Sequence, residues 1–151
     1  MKRPINRLLF GNAGTPGPLA DFGLTILRVY AGLMMALGHG WGKLTDNPGP
    51  AAFISGVESQ GFPVPTVSGW LAILGEFLGG LLLAIGLATR PAALWVLGVM
   101  AGAAFVVHGD SFTGDAPFAE AEMALLYFAI ALAFAFLGSG RFGVDRFLRK
   151  G

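Results

Sequence analysis

The chain has no cysteine among its 151 residues. That excludes a structural disulfide, a CxxC redox pair and thiolate ligation of a metal, so any electron chemistry must use other groups. Charge is scarce as well. Asp, Glu, Lys and Arg make up 13% of the residues, against about 25% in an ordinary soluble domain. The net charge of +1 leaves no basic stripe for nucleic acid. There are two histidines, His39 and His108. What is abundant is apolar: 54% of the chain is hydrophobic, mean hydropathy is +0.67, and the charges are pushed to the ends and between apolar blocks.

A hydrocarbon core about 30 Å thick takes roughly 17 to 25 helical residues to cross. Read at that length, the sequence gives four spans, 21–44, 68–88, 91–108 and 120–138. The expected fold is all-α: a polytopic membrane protein with a four-transmembrane-helix antiparallel bundle over 21–140. A Gly/Pro-rich tail over 1–20 precedes it, and a basic tail over 141–151 follows. The apolar run after Lys2, Arg3 and Arg7 stops at Gly11, too short for a signal peptide, so the first span is expected to stay as an anchor. Lys and Arg gather in the two tails and at Arg90, whereas the first and third connections carry Asp46, Glu58, Asp110 and Asp115. By the positive-inside rule both termini are cytoplasmic and the acidic connections face outward. In the long first connection, 50–60 reads as a short interfacial helix on the outer rim, ended by Gly61. Small residues four apart, Gly32, Ala36 and Gly40, Gly75 and Gly79, Gly98 and Gly102, let helices approach closely in lipid and permit a homo-oligomer.

Against this apolar background four ionisable residues stand out. His39, Glu76, His108 and Glu122 fall near the same, outward end of the four spans, and ionisable groups within a membrane default to a functional hypothesis. At about 100° per residue, Arg28, Gly32, His39 and Lys43 form one polar stripe on the first span. Three readings stay open. The four residues can neutralise one another as a structural network that pins helix register. They can ligate a divalent metal, since imidazole and carboxylate suit iron, zinc or manganese, although no Glu-x-x-His pair of the di-iron kind occurs. They can also bind a quinone-like carrier and handle its protons, with His39 and Glu76 as the reacting pair and Arg28, Lys43, His108 and Glu122 around the ligand. Two histidine–glycine pairs, His39-Gly40 and His108-Gly109, each followed by a span bearing a glutamate, suggest a faint internal repeat.

Leu27-Arg28, Gly38-His39-Gly40-Trp41-Gly42-Lys43-Leu44, Gly61-Phe62-Pro63-Val64-Pro65, Gly75-Glu76-Phe77-Leu78-Gly79-Gly80, Gly86-Leu87-Ala88-Thr89-Arg90, Val107-His108, Ala121-Glu122-Met123 and Gly140-Arg141-Phe142-Gly143-Val144-Asp145, in this order, resemble the DoxX family of small bacterial membrane proteins over about 22–147. The resemblance implies a four-helix membrane fold and an association with oxidoreductase systems, in which the partner is a soluble or membrane oxidoreductase subunit and the ligand a quinone. It also places Arg28, His39, Lys43, Glu76, Arg90, His108 and Glu122 on the family's polar positions. No residue of this chain argues for thiosulfate chemistry. The alternative to a quinone-linked subunit is a non-catalytic scaffold or assembly protein.

Overall fold

A computed structural model describes residues 17–46, 48–113 and 118–150. Most of the expected N-terminal tail and Asp115 lie outside these residues. The described chain is helical and holds no strand. In chain order the helices are α1, Pro18–Thr45, α2, Pro50–Ser59, α3, Pro65–Ile85, α4, Thr89–Val107, α5, Glu122–Leu137, and α6, Val144–Lys150. Proline opens α1, α2 and α3, where its missing N–H costs nothing and its fixed φ suits the first turn.

Helices α1, α3 and α4 are each long and apolar enough to cross a membrane. Helix α5 has 16 residues, a length of about 24 Å at 1.5 Å per residue. That falls short of a hydrocarbon core of about 30 Å, because the residues before Glu122 form turns rather than helix.

Two contacts organise the body. The first is a backbone-to-backbone crossing of α1 and α3. A Cβ at Gly32 would lie 2.6 Å from the Ala84 nitrogen and the Gly80 oxygen, and one at Gly40 would lie 2.5 Å from the Phe77 nitrogen. Only glycine permits this approach, which replaces the hydrophobic drive that lipid removes. The second contact is between α4 and α5, where Val96, Met100 and Ala104 meet Ala124 and Ala131 with Met35 of α1, while Leu83, Ala93 and Phe134 form a second apolar cluster. The other glycine pairs behave differently: Gly75 faces the Trp95 and Val99 side chains, and Gly98 faces open space.

Three helices widen locally. Met34–Gly40 in α1, Gly75–Gly79 in α3 and Ala103–Val107 at the end of α4 are π-helical, with i→i+5 hydrogen bonds in place of i→i+4. Those of α1 and α3 pack on each other. Each holds or adjoins an ionisable residue singled out above.

Candidate functional site

The wide turn in α1 changes the stripe read at a uniform helical pitch. More residues per revolution carry His39 off the face that meets α3 and bring Gly40 onto it. The His39 ring instead packs nearly perpendicular to the Tyr127 ring of α5, with centroids 5.5 Å apart. Lys43, beyond the wide turn, reaches α3. Its ammonium donates to both carboxylate oxygens of Glu76 at 2.5 Å and lies 4.6 Å from the centre of the Phe53 ring of α2, a cation–π contact. Glu76 is 4% exposed, so this ion pair is what allows a carboxylate to remain there. The partner of Glu76 is therefore Lys43.

The pair sits on the wall of a cavity of about 490 Å³ between α2, α3 and α4. Phe53, Phe62, Leu71, Trp95 and Val99 give it an apolar and aromatic lining, Gly98 and Gly102 leave room, and His108 stands on its edge. Trp95 is held in place because its indole N–H donates to the Leu71 carbonyl at 3.0 Å. The volume falls within the roughly 300–1,000 Å³ usual for small-molecule pockets, and the lining has their usual composition, mostly apolar with a few polar groups.

Of the six candidates, Lys43, Glu76 and His108 thus share one cavity, and His39, Arg28 and Glu122 do not line it. Glu122 is exposed in the first turn of α5. The carboxylate near His108 is Glu120, 3.9 Å away. Among the described residues no three of His, Asp and Glu converge as a metal would need, so the donor geometry does not support the metal reading. The two histidine–glycine pairs do share a local setting: His39-Gly40 closes the wide turn of α1, and His108-Gly109 follows that of α4.

Arg28 belongs to a second polar cluster at the opposite end of α3. Its side chain is 1% exposed, and Nη1 donates to the carbonyls of Leu83 and Ala84 at 2.7 and 2.6 Å. A guanidinium thus meets carbonyls of the last turn of α3, where a cation is favoured by the helix dipole. Asp145, also 1% exposed and close enough for its charge to act on Arg28, does the complementary work on α4. Its carboxylate accepts from the Ala88 and Thr89 amides at 2.6 and 2.9 Å and from the Thr89 hydroxyl at 2.7 Å. Between the two helices Gly86 turns the chain at φ 73°, a left-handed conformation that glycine adopts without strain. There a Cβ would press on Arg28 and on Gly143. Asp145, Thr89 and Tyr127 are the residues that sequence reasoning passed over. The available signal for Asp145 was an acid in an otherwise basic segment.

The DoxX family model matches residues 23–109. The chain is similar to the inner membrane protein YqjF of Escherichia coli (strain K12), 30% identical over 87% of this chain and 96% of that protein. It is also similar to an uncharacterized protein of Haemophilus influenzae (strain ATCC 51907 / DSM 11121 / KW20 / Rd), 35% identical over 84% of this chain and 92% of that one. No solved structure matches at a significant level.

Proposed function

This chain belongs to the DoxX family and is an integral protein of the bacterial inner membrane, and from that premise we propose that it is the membrane subunit of a redox system whose cavity binds a quinone-like molecule. The observation that carries the reading is the Lys43–Glu76 pair set into the wall of an apolar, aromatic cavity of about 490 Å³. A neutral ring with carbonyl or hydroxyl groups suits such a wall. A carbonyl can accept from the ammonium, a hydroxyl can donate to the carboxylate, and no net charge enters the cavity. The isoprenoid tail of such a carrier would lie along the apolar lining and leave toward lipid.

Reduction of a quinone to its quinol takes two electrons and two protons. In this reading an oxidoreductase partner supplies the electrons, and Glu76, Lys43 and His108 carry protons between the ring and the rim. On the same reading helix α5, lengthened by the turns before Glu122, makes the fourth crossing, both termini are cytoplasmic and the cavity lies toward the outer side, because the basic residues sit at the Arg28–Asp145 end. The test is direct. The protein is extracted gently, its bound lipids are analysed, and quinone reduction is measured in native membranes carrying Glu76→Gln or Lys43→Met. Co-purified quinone, with turnover lost in both variants, is the expected result. A quinone-free protein with unchanged turnover refutes the proposal.

A second reading has its own observation. Both oxygens of Glu76 are taken by Lys43, and a pair that saturates itself can also serve only to fix the register of α1 against α3. On that reading the protein is a scaffold for an oxidoreductase complex, and the same variants lower yield and stability while turnover per folded molecule stays constant.

A further inference from the structure

Helix α6 lies beyond the ends of the long helices and is divided between two environments. Asp145 turns inward to cap α4, and Phe147, two residues on, is 71% exposed. Leu148 and Phe142 are exposed too, as is Phe136 at the end of α5. Arg141 and Arg146 stand among these apolar side chains, and Arg90 reaches the Phe136 carbonyl at 3.0 Å. Of the acids of this end, Asp145 is committed to α4, and the buried Asp21 lies 3.9 Å from Arg141 and offsets part of that one charge, so Arg146 carries the larger share of the exposed positive charge. The exposed surface here is therefore aromatic and cationic.

We infer that this face of α6 is a docking surface for the anionic phospholipid headgroups of the leaflet around it, Phe147 and Leu148 entering the acyl boundary and Arg146 and Arg141 meeting phosphate. Three observations converge. The surface continues from helices that cross the membrane, which sets it at headgroup level. Its charge complements an anionic leaflet. Its composition, exposed Phe147 and Leu148 beside Arg146 on one short helix, is that of an interfacial helix. Asp145 holds the helix there, so docking needs no folding step.

The absence of cysteine supplies the test. Leu148→Cys in the full chain gives a single site for a nitroxide label, and Phe147→Cys gives an independent second site. The protein is placed in nanodiscs of phosphatidylcholine with and without phosphatidylglycerol, and label depth is read from collisions with oxygen and with a water-soluble nickel chelate. In the anionic discs the label is expected below the phosphates, rich in oxygen collisions and shielded from nickel, and it should rise toward water in high salt. Arg146→Gln should lower the ratio of docked to undocked label about fivefold. A label equally open to nickel in both lipids overturns the proposal, and so does a depth indifferent to lipid charge and salt. Shielding from both oxygen and nickel would mean that protein, a second copy or another subunit, covers the face, and that result overturns it as well.

Discussion

Replacing Asp145 with alanine removes the acceptor for two backbone amides and one hydroxyl at the start of α4, those of Thr89 buried and that of Ala88 partly so. It also removes a negative charge that acts on the Arg28 guanidinium, 1% exposed. Each orphaned donor costs about 1 to 3 kcal/mol. These terms overlap, since relaxation and water entry serve all of them, so the expected loss is about 4 kcal/mol rather than their sum. Asp145→Asn keeps one acceptor oxygen but turns an NH₂ group toward a donor, so it should recover less than half of the loss. Arg28→Met in the Asp145→Ala background removes the cation together with its bonds to the Leu83 and Ala84 carbonyls, so the double variant should lose less than the sum of the two single losses. Unfolding of the purified protein in mixed micelles, titrated with SDS and followed by circular dichroism, reads the single and double variants. A loss below 1 kcal/mol for Asp145→Ala, or strictly additive losses in the double variant, would refute the coupled clamp.

Three further outcomes follow from the same geometry. Lys43→Met and Glu76→Gln should each cost about 2 to 4 kcal/mol, and the double variant should cost less than the sum; equal and additive losses in the SDS titration would deny that the two residues act as a pair. Gly40→Ala should cost about 1 to 3 kcal/mol, because its Cβ meets the Phe77 backbone, whereas Gly98→Ala, facing open space, should stay within about 0.5 kcal/mol; equal effects would deny the close crossing of α1 and α3. Short-chain quinone should quench tryptophan emission in the purified protein, and Trp95→Phe, at a cost of about 1 kcal/mol for one hydrogen bond, should abolish most of the quenching; quenching carried by Trp41 or Trp70 would move the ligand out of the cavity.

Three of the expected spans were legible because crossing a membrane imposes a length and a hydropathy that few other demands produce. Close helix packing was legible as well, since small residues recur four apart in the first span, but which helix they meet was not: the contact of Gly32 and Gly40 with α3 is seen only in the structure. Nor was the pairing of Glu76. It depends on the π-helical turn over Met34–Gly40, which rotates His39 away and lets Lys43 reach α3, and such a turn has no pattern of its own in the sequence. A lysine at the end of a span also looks like an interfacial anchor until its partner is seen. Asp145 escaped for a different reason. Its setting among Arg141, Arg146, Arg149 and Lys150 gives the segment the composition of a solvated basic tail, and only contacts across more than fifty residues of chain, to Ala88 and Thr89, give its carboxylate a role.

The two polar clusters differ in a way that bears on function. Around Arg28 and Asp145 the groups cap helix ends: two terminal carbonyls of α3 receive the cation and the first amides of α4 meet the anion. Each charge lies where a helix dipole favours it. That is sufficient for a clamp, and the clamp fixes the hairpin of α3 and α4 at one end. At the other end Lys43 and Glu76 face each other beside about 490 Å³ of largely apolar space, in a helix stretch already widened from its most stable form. A pin for register alone gains nothing from an apolar and aromatic wall beside it, or from glycines at 98 and 102 that leave room there. The Glu76 end therefore presents a surface that a small molecule can meet, whereas the charges of the Arg28 end are committed to helix caps.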